Sequence, residues 1–243
     1  MNNTALKTGD PHDYDIDKET AASRKMLEKR IPSEINKIKL ALVNIDKRKA
    51  YEPWRVALTV DLVDAIERNC EQILETIDKD RLAATAWIAR NLLELLVWVK
   101  YCAVSRENAW RFHEDALRDA KGLMEAHAKS CAAMGIENET AVITERRLQQ
   151  VASEMLGLDD IGADFLAVSK AAKAQGVDLG DRFGPFHRFL SKFAHPTAGL
   201  VHGITHQAEA CRQLQAVFTT QGVYYAAQGT LALEAQLEIP QPE

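Results

Sequence analysis

The chain has 243 residues, 47% of them hydrophobic and 27% charged, with a net charge of −5. That is enough to bury one large core or two small ones, and the acidic balance excludes a broadly basic nucleic-acid coat. Cys70, Cys102, Cys131 and Cys211 form no C-x-x-C pair and read as buried, reduced thiols. The N-terminus MNNTALKTGDPHDYDID lacks the basic start and apolar run of a signal peptide. A cytoplasmic protein is the expectation.

Helical periodicity runs through almost every segment, so the pattern predicts an all-α helical bundle. Residues 1–17 read as a disordered acidic N-terminus. Residues 18–53 read as a basic helical arm, with helices over 18–30 and 33–50 punctuated by Pro32 and Pro53. From Arg24 to Arg55, ten cations (24, 25, 29, 30, 37, 39, 47, 48, 49, 55) face four acids (28, 34, 46, 52). Such an arm could steer a polyanion, although a solvated helix surface carries the same pattern.

The bundle proper is expected over 54–236, with 237–243 as a tail. A helix over 54–78 puts Leu62, Ile66, Cys70, Ile73 and Ile77 on its inner face. The helix over 81–104 is apolar nearly all round. Its Arg90, Asn91, Glu94 and Lys100 argue against a membrane span and for the most buried element. The helix over 106–134 carries a seam of Trp110, His113, Leu117, Ala120, Met124, His127, Cys131 and Met134. On that seam His113 and His127 read as packed histidines. Helices over 139–156 and 160–175 and a loop over 176–186 follow, with Pro185 opening a short helix. A last helical region over 197–236 is expected to be interrupted near Gly222.

Two clusters carry candidate chemistry. Arg90 and Glu94 lie one turn apart in the most apolar helix, on one stripe with Trp87, Trp98 and Tyr101. Buried there, the two charges need each other, another helix's polar group or a ligand. The second cluster is Arg188-Phe-Leu-Ser191-Lys-Phe-Ala-His195-Pro196, whose spacing puts Arg188, Ser191 and His195 on one face. An arginine and a histidine near a helix end can hold a phosphate and move its proton. His195, His202 and His206 follow a metal-compatible spacing. Gly203 and Thr205 weaken that helix, however, and the H-E-x-x-H pattern is missing. Neither a metal nor a cofactor is expected.

The segment RFLSKFAHPTA at 188–198 and the R-N-L-L-E of 90–94 together resemble the HEPN-like helical proteins. The resemblance covers about residues 55–215 and is nearest a bacterial branch with R-x-x-x-E and L-S-x-x-x-H-P motifs. It implies a helical bundle, often a homodimer, with an Arg-x(4 to 6)-His pair at a cleft. In active members that pair cleaves RNA without a metal, as toxins or phage-defence effectors do. On that resemblance Arg188 would hold the phosphate and His195 would be the general acid or base. Ser191 could donate to the phosphate, and Glu94 could orient His195 or pair with Arg90. The alternative is a non-catalytic module that binds a nucleotide or a protein partner, with the same residues as a buried network.

Overall fold

The structure, a computed structural model, describes residues 15–48, 52–77, 79, 81–136, 146–147, 149–150, 152–154, 165–195, 197 and 207–238. All regular structure among them is helical: α1 (Ile16–Lys25), α2 (Ile31–Arg48), α3 (Pro53–Ile77), α4 (Leu82–Val104), α5 (Arg106–Ala133), α6 (Val168–Ala171), α7 (Gly180–Ala194) and α8 (Ala208–Gln236). The expected all-α architecture is the observed one.

Three local departures from the expected helices have physical causes. Pro32 does not break the N-terminal helix, because a π-helical turn at Met26–Arg30 joins α1 to α2. There the Ile31 amide donates to the Met26 carbonyl, and the wider turn gives the proline ring room. Pro185 lies inside α7 rather than at its start. Gly184 before it lacks the Cβ that a proline ring disturbs in a helix. Gly222 does not interrupt α8, which runs unbroken through it.

The chain divides into two compact units, one of residues 1–41, 62–96 and 185–243, the other of 42–61 and 97–184. Of the stretch expected as a basic arm, residues 18–41 fall in the first unit and 42–53 in the second. Asp15 caps α1 by accepting from the Lys18 amide at 3.0 Å, so the helix starts within the stretch expected to be disordered. Leu27, Ile31, Ile35 and Ile38 are fully buried. The basic residues here have acidic neighbours: Lys39 bridges Glu67 and Asp64, which raise its pKa, and Lys37 meets Glu34 at 2.8 Å.

In this unit α3 and α8 run antiparallel at close range. A Cβ on Gly222 would lie 2.5 Å from Ile73 Cδ1, and one on Gly229 would lie 3.1 Å from Ile66 Cδ1. The glycines are seven residues apart, as are the isoleucines, so one seam is built twice. Gln215 of α8 caps the end of α3, its amide donating to the carbonyls of Thr76 (2.6 Å) and Lys79 (2.8 Å). Along α4, Ala86, Ile88, Ala89, Leu92, Leu93 and Leu96 are buried, as expected for a core helix.

The second unit packs α5 through its first half. Trp110 meets Trp54 edge-on at 4.8 Å, and Phe112 stacks on Trp98 at 4.6 Å. His113 packs against Trp54 at 5.5 Å, and desolvation lowers its pKa. Asp115 is buried and accepts from Arg118 at 2.8 Å and from the Leu166 amide at 3.1 Å. Beyond Gly122 the expected seam fails: His127 and Met134 are exposed, and only Cys131 is buried. Most of the helix expected over 139–156, the start of that over 160–175, and His202 and His206 lie outside the described residues.

All four cysteines are buried and form no disulfide. Burial pushes the thiols of Cys70 and Cys102 up to about 12 from an ordinary 9.0, which cuts their thiolate fraction roughly a thousandfold. Alkylation at pH 8 followed by mass spectrometry should therefore label Cys70 and Cys102 at least ~100-fold more slowly in the native protein than in denaturant. Equal rates in both conditions would contradict the burial.

Candidate functional site

The polar residues of α4 and α7 converge on Arg90. Its Nε donates to Glu94 Oε1 at 3.0 Å, one turn along the helix. His187 Nε2 lies 2.8 Å from the same oxygen and 3.0 Å from Arg90 Nε. A guanidinium has only protons to give, and a carboxylate only lone pairs. The arrangement that satisfies all three groups puts a proton on His187 Nε2, so Glu94 Oε1 accepts from both Arg90 and His187. The 3.0 Å nitrogen–nitrogen approach is then two donors sharing one acceptor. On the other edge of the guanidinium, Arg90 Nη1 meets His195 Nε2 at 3.1 Å. That nitrogen must accept, so His195 carries its proton on Nδ1 while the bond is made.

The cluster is open to water. Arg90, Glu94 and His187 keep 23%, 27% and 26% of their side-chain surface exposed, and His195 is exposed. The Asp115–Arg118 pair of the second unit keeps 3% and 11%. A partly open ion pair at this spacing stabilises its helix by roughly 0.3–0.5 kcal/mol.

Of the residues expected at the site, Arg90, Glu94 and His195 come together and Arg188 does not. Leu190 and Phe193 fix the inward side of α7, where Phe193 packs on Phe218 of α8 at 5.0 Å. Arg188 is two residues from Leu190, about 200° round the helix, and so faces solvent. His187 is three residues from Leu190, about 60° off, which turns it toward α4. The expected shared face of positions 188, 191 and 195 also ends early. The helix stops at Ala194, and the Thr197 hydroxyl caps it by donating to the Lys192 carbonyl at 3.1 Å. Ser191 gives its proton to the His187 carbonyl at 2.6 Å. Glu94 pairs with Arg90, one of its two expected roles, and orients His187 rather than His195.

His187 is the residue that the sequence pattern hides. A loop over 176–186 leaves it one position inside a helix, with no inner face to belong to. Its signal is the apolar line Leu190–Phe193, followed backwards by three. No group of three metal-binding side chains occurs among the described residues. Comparison with protein-family models, curated proteins and solved structures returns no match for this chain.

Proposed function

We propose that this is a HEPN-like protein that cleaves RNA without a metal, with Arg90 and His195 as its chemical pair. The observation that carries the proposal is a half-open cluster in which one arginine touches a carboxylate and two imidazoles. RNA brings its own nucleophile, the 2′-hydroxyl. The protein has to supply only a proton acceptor and a cation for the charge that grows on phosphorus.

His195 Nε2, unprotonated against Arg90, takes the 2′-hydroxyl proton. The 2′-oxygen then bonds to phosphorus and the P–O5′ bond breaks. The leaving 5′-oxygen takes a proton from water, and His195 returns its own to the resulting hydroxide. The products are a 2′,3′-cyclic phosphate and a 5′-hydroxyl. Arg90 turns its guanidinium from His195 to the phosphate oxygens, held at its Nε edge by Glu94. His187 positions that carboxylate, and the exposed Arg188 and Lys192 attract the backbone from outside. Four reduced cysteines fit a cytoplasmic setting, and a homodimer, as in a toxin or defence effector, is part of the proposal.

The second reading is a non-catalytic module binding a nucleotide or a protein partner. Its support is the closed His187–Glu94–Arg90 triangle, which is satisfied without any ligand. A 2′-O-methyl oligonucleotide separates the two. The ribonuclease should leave it intact while cutting the matching RNA to cyclic-phosphate ends. Intact RNA, or equal cutting of both substrates, contradicts the first reading.

A further inference from the structure

Trp87 is 48% exposed on α4, one turn before Arg90, on a helix whose apolar residues are otherwise largely buried. Its position relative to the cluster follows from the pairings already described. Glu94 meets His187 and Arg90 reaches His195, so α4 and α7 run antiparallel here. Seven residues back from Glu94 is Trp87, and seven forward from His187 is Ala194. Both steps advance about 10.5 Å at 1.5 Å per residue. Trp87 thus lies on the same stripe of α4 as Arg90 and Glu94, one turn from the arginine that reaches His195. The other three tryptophans each pack on an aromatic neighbour in the second unit: Trp54 and Trp110 on each other, Trp98 on Phe112.

Resting on the ribonuclease reading, we infer that Trp87 is a stacking platform for one unpaired base beside the cleaved phosphate. A large exposed indole next to an arginine–histidine cluster offers what a nucleotide has to match: a flat apolar face for the base and a cation for its phosphate. The charges around it favour this occupant over an apolar protein surface. Arg90, one turn away on the same stripe, supplies the cation for the phosphate, and a paired base in a duplex could not leave its stack to reach the indole without losing its partner.

The test uses a fluorescein-labelled, non-cleavable 2′-O-methyl oligonucleotide of about ten residues, titrated into the full-length protein at low salt. Wild type should bind the single strand, and bind the same strand annealed to its complement at least ~10-fold more weakly. Trp87→Ala should weaken single-strand binding roughly 10-fold and Trp87→Phe less than about 3-fold, both with an unchanged melting temperature. Binding by Trp87→Ala equal to wild type overturns the stacking role and leaves the ribonuclease reading standing. The same result with loss of a dimer would reassign Trp87 to a contact between two copies. If wild type binds neither strand nor duplex, the ribonuclease reading falls and this inference falls with it.

Discussion

Arg90→Ala should reduce RNA cleavage by about 10²–10³-fold, whereas Arg188→Ala should reduce it less than about 5-fold. The contrast follows from where α7 points the two candidates. Arg90 holds the site together through hydrogen bonds to Glu94 and His195, with His187 on the same carboxylate, and Arg188 contacts none of them. Removing the guanidinium takes away the phosphate's cation and leaves Glu94 and His187 to pair alone. Arg188 contributes only a solvent-screened charge, so its loss should raise KM and lessen the salt dependence of association. Arg90→Lys separates charge from geometry. An ammonium cannot reach Glu94 and the phosphate with two edges of one plane, so most of the loss should persist. Melting curves of all three variants separate lost chemistry from lost folding, since a half-open pair contributes at most about 1 kcal/mol to stability. Equal defects in the two alanine variants would return Arg188 to the centre of the site.

The largest expected effect on stability lies elsewhere, at the α3–α8 seam. Gly222→Val should destabilise the protein by about 3 kcal/mol and lower Tm by roughly 6–12 °C. A Cβ there would already lie 2.5 Å from Ile73 Cδ1, with Leu92 Cδ1 at 3.4 Å and the Ala89 backbone at 3.6 Å. Ile73 and Leu92 are themselves fully buried, so neither can swing away. Gly122 is the control. It sits within α5, and a Cβ added to it would meet no atom within 4 Å. Gly122→Ala should therefore stabilise by about 0.5–1 kcal/mol through helix propensity alone. Opposite signs at two helical glycines, read by thermal melts, would show that Gly222 makes room for a neighbouring helix and Gly122 only loosens its own. A harmless Gly222→Val would mean that α3 and α8 do not pack as described.

These two sites also mark how much the sequence makes legible. Helix type and extent come through for α3, α4 and α5, where long apolar periods leave one solution. The Arg90–Glu94 pair is legible because two charges one turn apart in so apolar a helix must meet a partner. The proline and glycine positions mislead. A glycine that makes room for a neighbouring helix and a glycine that ends a helix look alike in one dimension. Pro185 and Pro32 look like boundaries, although a preceding glycine and a π-turn accommodate them. The error at Pro185 spreads to the site. A helix start there hides the inward face of α7, which favours Arg188 over its neighbour His187. The partner of an imidazole 93 residues away cannot be read from local spacing at all.

The most direct measurement is cleavage of a single-stranded RNA by purified protein in excess EDTA, wild type beside His195→Ala. Wild type should cut, leaving 2′,3′-cyclic phosphate ends, and the folded variant should be at least ~100-fold slower. Intact RNA with wild type, or undiminished cutting by His195→Ala, would contradict the account.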